Sequence, residues 1–288
     1  MPNALFAPIQ RDVVVVHGPD ATKFLQSLLS QDLDPVGVGE STHALLLEPK
    51  GKLVVDIRAA RVEADVWWLL CEAGFGPVLA QGLNRFKIRV KAEIEDRSAA
   101  IAAIALRHPG QGGLDADVAS GIVPVQNDWP GAPGIEFIGD PDAIAGLAAR
   151  LAGLGITEID ADAYEMLRVE AGVPRQGYDI DESTIAQEAF LERDAVSFTK
   201  GCFLGQELVC RIDSRGHVNR LLRRLRSDAP IERGASVFVD DKEVGTVTTS
   251  AGNVALATIR RTVEPSSDVV VQASGGGEVA AQVEAVDA

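Results

Sequence analysis

Residues 42–74 read THALLLEPKGKLVVDIRAARVEADVWWLLCEAG. Three apolar segments of strand length follow one another with no space for a helix between them. The first ends at EPKGK (48–52), where proline and glycine suit a tight turn. The second begins at Leu53, and the third, VWWLLC, at Val66. Strands joined this closely pair antiparallel, because a parallel pair needs a long crossover. The stretch therefore argues for antiparallel α+β units and against a doubly wound sheet. Within it, Asp56 is the one polar residue in the apolar run Leu53–Ile57.

The flanks agree. VVVVHGPDATKFLQSLLSQDL (13–33) predicts a strand, a turn at Gly18-Pro19 and a helix, with Pro19 suited to the first helical position and Phe24, Leu25, Leu28 and Leu29 on one face. A helix is predicted over 76–86. The alternation of KIRVKAEIED predicts a strand over 87–96, and another is expected over 99–106. Residues 107–134, rich in Gly, Pro and Asp, read as loop. Helices follow in 140–155 and in 160–179, the second ended by Gly172 and Pro174. From about Leu221 the pattern becomes short β segments with turns, a small barrel. The expected division is 1–220, holding two α+β units, and 221–288, the barrel.

The composition excludes several classes. With 46% hydrophobic and 24% charged residues, the chain has the balance of a soluble globular protein. No apolar run approaches the ~20 residues of a membrane span. The N-terminus lacks a basic segment followed by a long apolar one, so no secretory signal is expected. Three cysteines suit reduced thiols and a cytoplasmic location. A net charge of −15 makes nucleic acid an unlikely partner. Residues 200–226 nevertheless carry Lys200, Arg211, Arg215, Arg220, Arg223, Arg224 and Arg226 against Glu207 and Asp213, a local charge of +5 in a chain otherwise at −20. That segment reads either as a strand or loop with solvated arginines or as a site for an anion.

Familiar catalytic patterns are missing. GFGPVL (74–79) lacks the third glycine of a dinucleotide loop, and there is no P-loop, HExxH or GxSxG. His17, His43, His108 and His217 stand singly and read as structural. Cys202, Cys210 and His217 match no common zinc spacing, so no metal is expected.

What remains is KGCFLGQE (200–207), which resembles the K-G-C-[FY]-x-G-Q-E signature of the YgfZ family, folate-binding relatives of the glycine-cleavage T-protein. LRVEAGVPRQGYDIDES (167–183) resembles that family's L-R-x-E-x-G-x-P segment, and VHGPDATKFLQSLLSQDL (16–33) its opening strand and helix. The likeness runs through nearly the whole chain in order. It implies two ferredoxin-like units and a β-barrel around a central folate-sized hole, with tetrahydrofolate or a one-carbon derivative as ligand. Asp56 is similar in place to an aspartate near the reactive folate nitrogen, although Val55 replaces the acid that precedes it in T-proteins. Glu188, in IAQEAFLE, resembles the glutamate that pairs with the pterin, with Ala186 where a proline is usual. Gln176 lies where T-proteins tend to have tyrosine.

The residue chemistry suits these implied roles. A carboxylate can accept two adjacent N–H groups of a pterin edge in a forked pair. An unpaired acid in an apolar strand has a raised pKa, which suits proton handling at an amine. The alternative for Asp56 is a bond to a loop amide, and for Glu188 a helix cap. Arg168 and Glu170, two apart on a helix, read as separate structural ion pairs. Gly201 and Gly205 let their loop approach a ligand closely. Lys200 and the arginines after it, Arg211 first, would meet the folate glutamate tail. Cys202, beside Lys200 and glycine-rich backbone, reads as a reactive thiol, or else as a small buried residue, as Cys71 and Cys210 do. Asp56 and Cys202 are the candidate chemical residues, and three functions follow: support of iron–sulfur cluster assembly or repair, in which the Cys202 thiol matters, with assembly or client proteins as partners; folate-dependent aminomethyl transfer, with Asp56 assisting the transfer; or folate binding without chemistry.

Overall fold

The computed structural model describes residues 3–108 and 121–286. Two compact units divide the chain, and they do not follow a single cut near residue 220. The first comprises Met1–Asp128, Ala132–Ala161 and Asp194–Leu208; the second comprises Trp129–Gly131, Asp162–Arg193 and Val209–Ala288.

The elements of the first unit begin with β1 (Leu5–Ile9), β2 (Arg11–His17), α1 (Ala21–Leu28), β3 (Ser41–Leu47), β4 (Leu53–Glu63) and β5 (Val66–Glu72). They continue with α2 (Gly76–Asn84), β6 (Glu93–Asp96), β7 (Ala102–Arg107), β8 (Ile122–Gln126), β9 (Gly134–Gly139), α3 (Pro141–Gly153) and β10 (Thr157–Glu158). One sheet has the order β3-β4-β5-β2-β6, every pair antiparallel. Without its edge strand β3, this is the βαββαβ order of a ferredoxin-like unit, with α1 and α2 as crossovers. The other sheet, β10-β1-β7-β9-β8, has a related order, with β1 inserted between β10 and β7.

The run Val13–Val16 shows why the two sheets belong together. Val14 and Val16 pack with α1 and α2, through Phe24, Leu25, Leu79 and Leu83. Val13 and Val15 face the opposite way, onto Ala103, Val125 and Ile138 of the second sheet. A strand buried on both faces must be apolar at every position. The outer face of the second sheet is covered by α3, through Ile144, Leu147 and Leu151.

Four local expectations change. Pro19 belongs to the turn before α1, and the helix starts at Ala21. The strand expected over 87–96 shortens to β6, because Lys91 exchanges bonds with Asp20 at the entry of α1 and not with a neighbouring strand. The loop expected over 107–134 contains β8 and runs to the start of β9. Pro124 hides β8 from a propensity reading but is tolerated on an edge strand; residues 109–120 of that loop lie outside the described residues. The basic segment opens as a loop but holds a helix over 206–215 before its strand.

The second unit contains α4 (Ala161–Glu170). Two elements, α5 (Glu192–Ala195) and α6 (Gln206–Arg215), carry the chain from one unit to the other. The barrel strands are β11 (Arg220–Ser227), β12 (Ser236–Val239), β13 (Lys242–Ala251), β14 (Val254–Arg260), β15 (Asp268–Gln272) and β16 (Glu278–Glu284). They close in the order β11-β14-β13-β12-β15-β16 around Leu225, Val237, Val247, Ala257, Ile259, Val271 and Val283. Closure removes the exposed edges that an open sheet would present. Arg168 and Glu170 do hold separate ion pairs. Arg168 bonds Glu165 and the buried Asp179, whose other oxygen accepts from Thr248 and Thr249 of β13; Glu170 pairs with Arg226. No helix among the described residues is long and apolar enough to cross a membrane.

Candidate functional site

The KGC segment is fastened to the first unit by residues whose motifs lie far apart in sequence. The Ser30 hydroxyl donates to the Ala195 carbonyl at 2.6 Å and accepts from the Leu45 amide at 2.8 Å. Gln31 donates to the Asp194 carbonyl. The Lys200 ammonium donates to the carbonyls of Gln26, Leu29 and Gln31 at 2.7–2.8 Å. These carbonyls lie at the C-terminal end of α1, where a cation is favoured. Burial lowers the Lys200 pKa to about 8, opposed by Asp32 and Asp34. Its three N–H groups are thus committed to backbone carbonyls. Lys200 is an anchor of this loop, which corrects its reading as a receptor for the folate tail.

Gly205 and Gly201 part company. Gly205 has φ +79°, and a Cβ there would lie 2.5 Å from the Glu48 carbonyl oxygen and 3.0 Å from the Gly51 Cα. The close approach it permits is to the β3–β4 turn, not to a ligand. A Cβ on Gly201 would meet nothing within 4 Å. Gly205→Ala should therefore destabilise the protein by about 2–4 kcal/mol, combining left-handed strain with overpacking. Gly201→Ala should change stability by less than ~1 kcal/mol. Urea unfolding of the two variants measures the contrast.

The Lys200–Gln206 turn presents Cys202 to solvent. Gln206 closes the turn by accepting from the Phe203 amide at 2.9 Å, and its side-chain amide lies 3.9 Å from the Cys202 sulfur. Cys71 is buried, and burial pushes its thiol pKa well above the ordinary value. Cys210 is half-buried, and burial followed by Asp213 raises its pKa.

Asp56 is paired. On β4, Leu53, Val55 and Ile57 are buried, while Asp56 and Arg58 project from the other face. That face also carries His43 of β3. His43 Nε2 lies 2.5 Å from Asp56 Oδ1, and Nδ1 lies 2.8 Å from Asp194 Oδ2. Arg58 approaches Asp194 at 3.7 Å. Burial and Arg58 push the His43 pKa down, but the two carboxylates outweigh them and the net direction is up. Burial pushes Asp56 up, and the charge and hydrogen bond of His43 reverse this, so it lies below the ordinary carboxylate value. Asp194 is likewise lowered against its burial. The unpaired, high-pKa acid expected at Asp56 is thus replaced by a carboxylate of lowered pKa paired with an imidazole of raised pKa. The Asp56 side chain is 23% exposed and that of Asp194 59%, so the three groups connect a mostly buried carboxylate to solvent. His43 and Asp194 are the residues that sequence reasoning missed.

Glu188 and Arg211 belong to the second unit. Glu188 Oε2 accepts from the Ile185 amide at 3.0 Å, the capping contact considered for it. The same side chain lines a cleft of about 290 Å³ with Asp181, Thr184, Arg220, Leu222 and Thr258. That is the lower end of the range for small-ligand sites, ~300–1,000 Å³. Gln176 is buried, and Tyr178 lines the cleft instead, with the Arg175 guanidinium 3.7 Å and the Arg233 guanidinium 4.4 Å from its ring centre. Arg211 is exposed on α6. Of the other cations in the basic segment, Arg224 and Arg226 bind Glu284, and Arg226 also binds Glu170. Three of the seven cations of the +5 stretch, counting Lys200, are thus held internally, while Arg211, Arg215 and Arg220 are exposed.

Comparison with known proteins adds relatives to this geometry. Residues 11–114 match the GCVT N-terminal domain, and residues 220–285 match the CAF17 C-terminal beta-barrel domain. The chain is 28% identical over 256 residues to an aminomethyltransferase of Herpetosiphon aurantiacus, a match covering 81% of this chain and 70% of the relative. It is 24% identical over 253 residues to an uncharacterized protein of Haemophilus influenzae, covering 84% and 82%. The crystal structure of the glycine cleavage system aminomethyltransferase T from Bartonella henselae matches its fold with a TM-score of 0.82 at 22% identity, over 99% of this chain and 86% of that one.

Proposed function

We propose that this chain, a GCVT-domain protein with a CAF17-type barrel and a relative of the aminomethyltransferases, binds reduced folate and supports iron–sulfur cluster assembly or repair in the manner of the YgfZ family. The observation that carries the reading is the KGC turn. It holds an exposed thiol, Cys202, on a loop made rigid by Lys200 and Gly205. So much fixed structure beneath one exposed cysteine suits a working thiol better than a packing residue.

A bound tetrahydrofolate would supply a nucleophilic ring amine. Glu188 offers a carboxylate for the pterin edge, and Leu222 an apolar wall beside it. Asp56 would stay ionised near neutral pH, so it would attract a positive or proton-bearing group and would not serve as an acid. His43 and Asp194 would hold it so and could pass a proton to solvent. That wiring favours a second reading, folate-dependent aminomethyl transfer centred on Asp56.

Calorimetry with tetrahydrofolate tests the shared premise. Wild type should bind, and Glu188→Gln should weaken binding by about 1.5–3 kcal/mol, the scale of a hydrogen bond to a charged group. Absence of heat at millimolar ligand would remove folate from both readings.

A further inference from the structure

We propose that Arg223, Phe190 and Arg193 form a binding site for a small oxyanion, a carboxylate or a phosphate, in the second unit. Arg223 stands in the same alternate row of β11 as the barrel-core residue Leu225, opposite Ala257. It is 7% exposed. Its Nε has no hydrogen-bond partner, and among the described residues no carboxylate lies within ion-pair distance of it. Its strand neighbours Arg224 and Arg226 are both ion-paired.

A guanidinium taken out of water without a partner is costly, and an oxyanion that accepts from its fork relieves that cost. The surroundings suit such a ligand. The Phe190 ring centre lies 6.0 Å from the Arg223 guanidinium and 4.3 Å from that of Arg193, so two cations share one aromatic plate. Phe190 has φ +59°, a left-handed conformation that a bulky side chain rarely adopts. Such strain persists only where surrounding structure enforces it, and it is enriched at ligand clamps. Burial lowers the Arg223 pKa, and Glu264 opposes the change only through its more distant charge. The site is independent of the folate reading, since it uses neither Glu188 nor Asp56.

The full-length chain can be titrated with inorganic phosphate and, separately, with glutarate at constant ionic strength. The observables are the ¹⁵Nε signal of Arg223 and the melting temperature. At least one anion should shift the signal saturably and raise the melting temperature, and the stronger of the two identifies the ligand class. Arg223→Gln should raise the melting temperature in anion-free buffer and abolish the anion-dependent rise. A structural arginine would give the opposite sign in anion-free buffer. Arg193→Gln, on an exposed residue, should weaken binding about fivefold to tenfold while the fold is kept. The proposal is overturned if neither anion moves the Arg223 signal, if every exposed arginine responds equally, or if Arg223→Gln responds like wild type. Should Arg223→Gln fail to fold, the wild-type titration and Arg193→Gln decide the matter alone.

Discussion

Cys202→Ser is expected to reduce iron–sulfur enzyme activity to the level of cells lacking the protein, while tetrahydrofolate binding and melting temperature stay near wild type. The change is nearly isosteric, and Cys202 is exposed, so little packing is lost. Cys71→Ser should behave in the opposite way. It places a hydroxyl in the core beside Leu69 and Val14 and should cost about 1–3 kcal/mol, the penalty of a poorly satisfied buried polar group, with cluster enzymes supported in proportion to the folded fraction. Alkylation followed by mass spectrometry supplies the chemical arm. Cys202 should react first, because Cys71 is buried and Cys210 half-buried, each with a raised thiol pKa. If Cys202→Ser supports cluster enzymes fully, the thiol reading fails and aminomethyl transfer moves ahead of it.

His43→Ala is expected to destabilise the first unit by about 2–3 kcal/mol near pH 5.5, somewhat less than the ~3–5 kcal/mol of breaking a fully buried pair. The discount reflects the 23% exposure of the Asp56 side chain. The variant leaves two carboxylates facing the space of one lost imidazolium. The pH dependence has a definite sign. The folded pKa of His43 is above 6.5, so its contribution is full below that value and fades as pH rises through the folded pKa. Asp56 and Asp194 have folded values below 3.8, so theirs is present above 3.8 and fades as pH falls through the folded pKa. The gap between wild type and variant should therefore be widest from about pH 4 to 6.5 and shrink on either side. Guanidinium unfolding at pH 5.5 and 8.5 measures it. A gap below ~0.5 kcal/mol at both values would show that the imidazole is not held as a cation between the acids.

Much of this architecture was legible in the residues. The tight turn at 48–52 and the short link to Val66 required antiparallel neighbours, and the Val13–Val16 run read as a strand. The short β segments after Leu221 announced the barrel. These readings succeed because they rest on local backbone geometry and on the side-chain period of a strand. The order of motifs likewise pointed to T-protein relatives.

The polar centre was decided elsewhere. Counting back from Leu47 opposite Leu53 puts Ile57, not Asp56, on the side of His43. A bulge between Leu46 and Leu47 shifts the register so that His43 faces Arg58 and shares a face with Asp56. A slip of one residue reverses every side chain of a strand, and no propensity in THALLLEPKGK reveals it. Asp194, the second carboxylate, is 151 residues from His43 and arrives only because Ser30, Gln31 and Lys200 bind the returning segment to the end of α1. The charges in the basic segment were countable from the start, but the partners of Arg224 and Arg226, Glu284 and Glu170, come from a distant barrel strand and a helix. Residue type and period determined the strands, the barrel and the candidate thiol. Which acids are paired, and which arginine is left unpaired, depended on long-range packing, because an ion pair is set by distance in space and not by separation along the chain.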